Sequence, residues 1–259
     1  MPGTVETRPK TVAAAEPRNA LPYPRDDAGL AWGMATFDAS KPVSRHNRSM
    51  LVLASASPRR RELLAQTGFS FEVHPAQIPE EPKPGEDPIA YVTRLAREKA
   101  QAVFTEILGA PGPDSGTWES TMIDRQSLAV LGADTTVALD NHILGKPEDP
   151  ADAARMLRLL SGRTHRVITG VAVVTAERTE VAAEVTGVKF LTLSDEEIAA
   201  YVATGEPMDK AGAYAIQGRA ARWIPRIEGD YFNVVGLPLA LVSTLLESRE
   251  TDDTRVPRS

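Results

Sequence analysis

The run Leu128–Leu139 is almost entirely apolar or β-branched, yet it carries one carboxylate, Asp134, near its centre. Such a run predicts a buried β-strand. An ionised carboxylate inside a buried strand is costly unless a cation or several hydrogen-bond donors meet it. The sequence therefore predicts a partner for Asp134, which is either a basic side chain in a structural ion pair or a bound metal ion.

A second apolar run, Met50–Ala54, predicts a strand that leads directly into a helix. Ser57–Pro58 is the pattern of an N-cap followed by proline at the first helical position, and Gly68 marks the end of the helix. Two hydroxyl groups and two guanidinium groups lie at this N-terminus: Ser55, Ser57, Arg59 and Arg60. Free backbone N–H groups, the helix dipole and the arginine forks all favour phosphate there. A capped helix with solvated arginines is the alternative.

A lysine interrupts the apolar stripe of the helix predicted from Asp87 to about Ile107. The three- and four-residue spacing of the stripe predicts which side chains face the core: Ile89, Val92, Ala96 and Val103. Lys99 lies on the same stripe. A lysine in this position extends its amine to water, pairs with a carboxylate or points into a site.

An acidic loop follows the predicted strand Phe69–Val73 and carries Glu80 and Glu81. Mg²⁺ takes one or two carboxylates, together with waters and substrate phosphates. Either glutamate is therefore a candidate for the second carboxylate beside Asp134. Most acidic loops are only solvated surface, which is the alternative for this one.

Two further positions suggest nucleotide chemistry. Lys146 follows a strand and a turn, so its amine is placed to project over a site. Gln217 lies among small residues in the segment Asp209–Gly218, where its amide offers both a donor and an acceptor to a pyrimidine edge. An ordinary turn explains the same segment without a ligand. Cations for phosphate and carboxylates for a hard metal suit phosphoryl chemistry, and no P-loop motif is present.

Strand and helix patterns alternate along the rest of the chain. Further strands are predicted over 167–175, over 181–193 and near 223–227. Further helices are predicted over 151–160, from the Ser194 capping box to Gly205, and over 238–248. Several strands look connected by hairpins, so we expect an α/β fold with a mixed, twisted sheet flanked by helices.

One domain is predicted over residues 49–248. Residues 1–48 lack apolar periodicity and predict a disordered extension, and residues 109–127 predict a flexible insertion. Residues 249–259 form a charged tail.

Composition excludes several classes of function. The net charge of -6 and the 5% aromatic content argue against a nucleic-acid-binding protein. The absence of cysteine excludes disulfides, thiolate metal sites and cysteine nucleophiles. No stretch has the length of a membrane span and the N-terminus has no apolar signal core, so we expect a cytoplasmic enzyme that binds no membrane.

Seven segments resemble, in order, the motifs of the Maf (septum formation protein) family. They are LASASPRRRELL at 53–64, LAREKA at 95–100, GADT at 132–135, GKP at 145–147, LSG at 160–162, DKAGAYAIQG at 209–218 and VVGLP at 234–238. The resemblance implies a fold like that of inosine triphosphate pyrophosphatases, with two lobes and a central cleft. It also implies cleavage of nucleoside triphosphates between the α- and β-phosphates with a divalent cation, Mg²⁺ or Mn²⁺ and in some cases Co²⁺.

The resemblance also implies roles for individual residues. Asp134 matches the proton acceptor and a metal ligand, and Glu80 matches the second metal ligand; Pro79 departs from the family pattern, which leaves Glu81 open. Other matches form two groups: Arg59, Arg60, Lys99 and Lys146 with the triphosphate, and Arg59, Thr135 and Gln217 with substrate choice.

The form of the segment around Gln217 resembles the subgroup that acts on dTTP and UTP. Relatives acting on 7-methyl-GTP usually carry a glutamate in its place. A nucleotide-binding regulator of septum formation and a nucleotidyltransferase are the alternatives from other classes. The resemblance further implies a house-cleaning or cell-division role, and a homodimer, as is common in the family.

Overall fold

A computed structural model describes residues 50–109, 127–140 and 142–252. The predicted extension 1–48, nearly all of the predicted insertion and the end of the tail lie outside the described residues. The strands are β1 (Met50–Leu53), β2 (Phe71–Val73), β3 (Leu128–Leu139), β4 (His142–Leu144), β5 (Thr164–Val174), β6 (Thr179–Lys189) and β7 (Arg226–Glu228). The helices are α1 (Pro58–Gln66), α2 (Pro88–Gly109), α3 (Pro150–Leu160), α4 (Asp195–Val202), α5 (Tyr231–Val235) and α6 (Leu239–Asp252), with three 3₁₀ turns at Glu206–Asp209, Ala211–Ala213 and Arg219–Trp223.

The strands of the described residues form one seven-stranded mixed sheet. The order is β2-β1-β3-β5-β6-β7, and β4 pairs with β3. β1 is parallel to both β2 and β3, whereas the other pairs are antiparallel. The predicted α/β class with a mixed sheet flanked by helices is confirmed.

The predicted starts of α1, α3 and α4 are confirmed. At each of them a local side chain accepts a hydrogen bond from one of the first free backbone N–H groups. Ser57 Oγ accepts from the N–H of Arg60 at the start of α1. Asp149 Oδ1 accepts from the N–H of Asp152 at the start of α3. Ser194 and Glu197 form the predicted capping box of α4.

Two apolar clusters occupy one face of β3, where side chains alternate between faces. Residues 129, 131 and 133 pack with buried residues of α1 and α6, whereas residues 137 and 139 pack with buried residues of α3 and α4. Thr135 lies on this face between the two clusters. The split produces two lobes, with the centre of β3 at the base of the cleft between them.

Helix α2 covers the opposite face of β3 at backbone contact distance. A Cβ atom at Gly132 would lie 2.1 Å from the carbonyl oxygen of Ala96, and a Cβ atom at Gly170 would lie 2.4 Å from the backbone of Val92. These two glycines allow the helix to lie directly on the sheet. The inclusion of Ile89 in the core-facing stripe was wrong, because this residue is 39% exposed.

Other differences from prediction concern short elements and the ends of longer ones. The strand β4 and the helix α5 were not predicted, because three and five residues are too few to show a periodic pattern. β6 ends at Lys189 because Phe190 turns into the cluster around α3 and α4, and Trp223 belongs to a 3₁₀ turn instead of β7. α6 continues past Ser248 to Asp252. Among the described residues, no helix is both long and apolar enough to span a membrane.

Candidate functional site

The site residues predicted from separate parts of the chain line one cleft of about 790 Å³, a volume suited to a small-molecule ligand. Its lining includes every one of them: Ser55, Ser57, Arg59, Arg60, Glu80, Lys99, Asp134, Thr135, Lys146 and Gln217. Glu81 also lines this cleft. The structure therefore brings together residues that lie up to 162 positions apart in sequence.

Lys99 is shared by two carboxylates at the base of this cleft. Its Nζ lies 2.7 Å from Asp134 Oδ1 and 2.6 Å from Glu80 Oε1. Lys99 and Asp134 are buried, at 6% and 7% exposure, whereas the Glu80 side chain is 45% exposed. The lysine therefore neutralises the charge that makes a carboxylate inside β3 costly.

The close approach of α2 to the sheet explains this pairing. The backbone of α2 touches β3 where Ala96 lies over Gly132. Lys99 follows one turn later along the helix, and Asp134 follows two residues later along the strand on the same face. The glycine of the GADT segment thus sets the distance between the two side chains.

The acidic loop is fastened to α2 by two side chains. Tyr91 Oη donates to the carbonyl of Glu80 at 2.8 Å, and Arg94 Nη2 donates to the carbonyl of Glu81 at 3.1 Å. Arg94 also binds Glu86 with two hydrogen bonds of 2.7 and 2.8 Å, which lower the pKa of that carboxyl to about 2. This arrangement turns the Glu80 side chain toward Lys99, whereas Glu81 contributes its backbone.

The electrostatics at the base favour an ionised Glu80. Partial burial alone would raise its pKa, but the hydrogen bond and charge of Lys99, with smaller contributions from Lys146 and Arg60, lower it overall. The pKa of Tyr91 is shifted upward instead. Burial and then the negative charges of Asp134 and Glu80 raise its pKa to about 12, so its hydroxyl stays a hydrogen-bond donor.

The N-terminus of α1 forms the second wall, and Arg60 is held there by protein acceptors. Its Nε donates to the carbonyl of Gly236 at 2.9 Å, its Nη2 to Thr135 Oγ1 at 3.0 Å and its Nη1 to Ser55 Oγ at 3.3 Å. Burial lowers the pKa of Arg60, while Asp134 and Glu80 act in the opposite direction, and an arginine remains charged throughout.

Three predicted residues stand at the rim of the cleft. Arg59 Nη1 lies 3.7 Å from Asp209 Oδ2, and Lys146 Nζ lies 3.9 Å from Glu80 Oε2, with the lysine side chain 64% exposed. Gln217 is exposed and makes no side-chain hydrogen bond within the described residues. These groups remain available to a ligand that enters the cleft.

Sequence reasoning missed the polar residues beneath Thr135. Thr135 Oγ1 lies 2.9 Å from Thr169 Oγ1, and Thr169 Oγ1 donates to the carbonyl of Asn233. Asn233 is fully buried, and its Nδ2 donates to Val167 and Thr186. The only sequence signal was a threonine in an apolar strand, which is common in sheets.

Comparison with known proteins gives a consistent result. The family described as Maf-like protein matches residues 50–249. A dTTP/UTP pyrophosphatase of Koribacter versatilis is 52% identical over 203 residues, which are 78% of this chain and 96% of that protein. A dTTP/UTP pyrophosphatase of Geobacter sulfurreducens is 54% identical over 197 residues, covering 75% and 94% of the two chains, and one of Moorella thermoacetica is 52% identical over 200 residues, covering 76% and 94%. The protein therefore belongs to the Maf-like family.

Proposed function

We propose that this protein is a nucleoside triphosphate pyrophosphatase that hydrolyses dTTP and UTP to the monophosphate and pyrophosphate. The observation that carries the proposal is the pairing of Glu80 and Asp134 on Lys99 in a cleft that also holds the N-terminus of α1. The relatives named dTTP/UTP pyrophosphatase, which match over nearly their whole length, support the same reaction and substrates.

Glu80 and Asp134 fit a small, hard divalent cation. Both carboxylates reach one ammonium group, so they face a common point at the base of the cleft. The described residues contain no cluster of three His, Cys, Asp or Glu side chains. A pair of carboxylates is the donor set that Mg²⁺ or Mn²⁺ takes when substrate phosphates complete its coordination, and Co²⁺ accepts the same donors. When bound, the cation would supply charge neutralisation to the triphosphate.

We assign the steps of hydrolysis to the side chains of the cleft. Asp134 orients the attacking water and accepts its proton as the bond from the water oxygen to the α-phosphorus forms. The bond from the α-phosphorus to the bridging oxygen breaks, and pyrophosphate leaves with that oxygen. Arg59, Lys146 and the N–H groups at the start of α1 stabilise its charge. Ser55, Ser57, Arg60 and Thr135 hold that wall of the cleft in place.

We assign recognition of the nucleobase to Gln217. Its amide has no partner within the described residues and presents a carbonyl oxygen and an NH₂ group, which complement the N3–H donor and O4 acceptor shared by uracil and thymine. Cytosine reverses this pattern. An amide that turns over complements cytosine equally well, so Gln217 favours dTTP and UTP over CTP when its amide is held in one orientation.

A panel of triphosphates tests the proposal. UTP, dTTP, CTP, GTP and 7-methyl-GTP are incubated with Mg²⁺ or Mn²⁺, and pyrophosphate and orthophosphate are measured separately. We expect pyrophosphate as the product and the highest kcat/KM with UTP and dTTP, and we expect Gln217→Glu to reduce that preference. Orthophosphate release, a preference for 7-methyl-GTP, or binding without turnover would each refute it. A homodimer and a cytoplasmic location stay predictions, and sedimentation analysis would test the first.

A further inference from the structure

Gln217 can discriminate between bases only if its backbone is held in place, because its side chain makes no hydrogen bond within the described residues. The residue lies in a short segment between two 3₁₀ turns, of which the second begins at Arg219. An exposed amide on a mobile turn adapts to either pattern of donors and acceptors.

Two side chains outside the cleft lining hold both ends of the segment. Tyr201 Oη accepts a hydrogen bond from the N–H of Ala215 at 3.3 Å. The same hydroxyl donates to Glu206 Oε1 at 2.9 Å. The Glu206 carboxylate accepts from the N–H of Arg219 at 3.1 and 3.3 Å. A continuous chain of hydrogen bonds thus joins the residue two positions before Gln217 to the residue two positions after it.

This pair is itself immobilised. Tyr201 is 2% exposed, and its ring packs edge-on against Trp223 with the ring centroids 5.0 Å apart. The backbone carbonyl of Glu206 accepts from Lys210 Nζ at 2.7 Å. The carboxylate also lies against the backbone of Gly218, where a Cβ atom would fall 1.8 Å from Oε1. Only glycine leaves room for this contact, so Gly218, the residue next to Gln217, packs directly against the Glu206 carboxylate.

We infer that Tyr201 and Glu206 are positioning residues for nucleobase selectivity, acting through the backbone on either side of Gln217. The inference rests on the proposed function, in which Gln217 reads the base. Neither residue lines the cleft, so each acts on the base through the backbone that it holds. Their loss loosens base recognition while the groups that hold the triphosphate, which lie on other elements, keep their contacts.

Tyr201→Phe tests the inference because it removes only the hydroxyl and keeps the packing on Trp223. The measured quantity is the ratio of kcat/KM for UTP to kcat/KM for CTP. One hydrogen bond contributes about 0.5–1.5 kcal/mol, so we expect this ratio to fall about two- to twelvefold. The kcat for UTP should change much less than the ratio. Tyr231→Phe is the matched control, since this exposed tyrosine is outside the cleft lining, and it should leave the ratio unchanged.

A double-mutant cycle separates positioning from general destabilisation. In a Gln217→Ala background, Tyr201→Phe should leave the ratio unchanged, because the group that it positions is gone. If Tyr201→Phe lowers the rates with UTP and CTP equally in the wild-type background, the residue is merely structural and the inference is overturned. Glu206→Gln, which keeps one acceptor oxygen, provides a second variant if Tyr201→Phe does not fold.

Binding measurements keep this test independent of the proposed reaction. Calorimetry with the non-hydrolysable α,β-methylene analogues of UTP and CTP gives the ratio of their Kd values without turnover. A wild-type protein that binds these analogues selectively but releases no pyrophosphate would refute the proposed function and leave the inference testable. A Kd ratio unaffected by Tyr201→Phe, or by Gln217→Ala, would overturn the inference even in an active enzyme.

Discussion

The buried histidine beside the cleft makes the stability of this protein depend on pH in a calculable way. His165 is 2% exposed and lies between the rings of Phe190 and Tyr214. Its Nε2 is 2.8 Å from Tyr214 Oη, and its Nδ1 is buried with no hydrogen-bond partner in the described part of the chain. Burial lowers the pKa of His165 to about 4, so the imidazole is neutral in the folded protein at neutral pH.

The direction of the pH effect follows from the two pKa values. In the unfolded chain a histidine titrates near pH 6.5. Between this pH and about 4 the unfolded state binds more protons than the folded state, so stability falls as the solution is acidified. A difference of about 2.5 pKa units corresponds to about 3 kcal/mol, of which most is lost between about pH 7 and about pH 4.5.

Urea unfolding of the wild type and of His165→Gln at these two pH values measures the effect. Carboxylates with lowered pKa values, such as Glu80 and Glu86, also destabilise both proteins in acid, so the difference between the proteins is the informative quantity. We expect the wild type to lose about 2–3 kcal/mol more than the variant. An equal loss in the two proteins would show that His165 does not titrate as its burial requires.

Three further predictions concern the site and the sheet beneath it. Asp134→Asn keeps the shape of the side chain and should lower kcat by about 10²- to 10⁴-fold, the range for a positioned base, and near wild-type turnover would reject that role. Glu80→Gln should raise the Mg²⁺ concentration for half-maximal activity at least about tenfold, whereas Glu81→Gln on the same loop should not; equal effects in a metal titration would contradict the assignment of Glu80. Gly170→Ala should lower the free energy of unfolding by about 3 kcal/mol or more, because its Cβ would lie 2.4 Å from the backbone of α2, while Gly109→Ala, with open space around it, serves as the control in urea unfolding.

Much of the fold could be predicted because the signals are local. A hydroxyl or carboxylate before a helix satisfies N–H groups three residues away, so the starts of α1, α3 and α4 follow from adjacent residues. The limits of β3 were also predicted from its apolar run. Asp134 and Lys99 were recognised as candidates because each places a charge where the pattern requires an apolar residue.

The sequence by itself therefore determined which residues needed partners, but the tertiary structure decided which partners they have. The sequence pattern does not distinguish Glu80 from Glu81 as a metal ligand. Only the attachment of their loop to Tyr91 and Arg94 directs Glu80 to Lys99. Tyr201 and Glu206 carry no signal, since an aromatic residue on a helix and a glutamate in a turn are common. Hydrogen bonds depend on distances of about 3 Å between atoms that are far apart along the chain, and only the packing of helices on the sheet sets those distances.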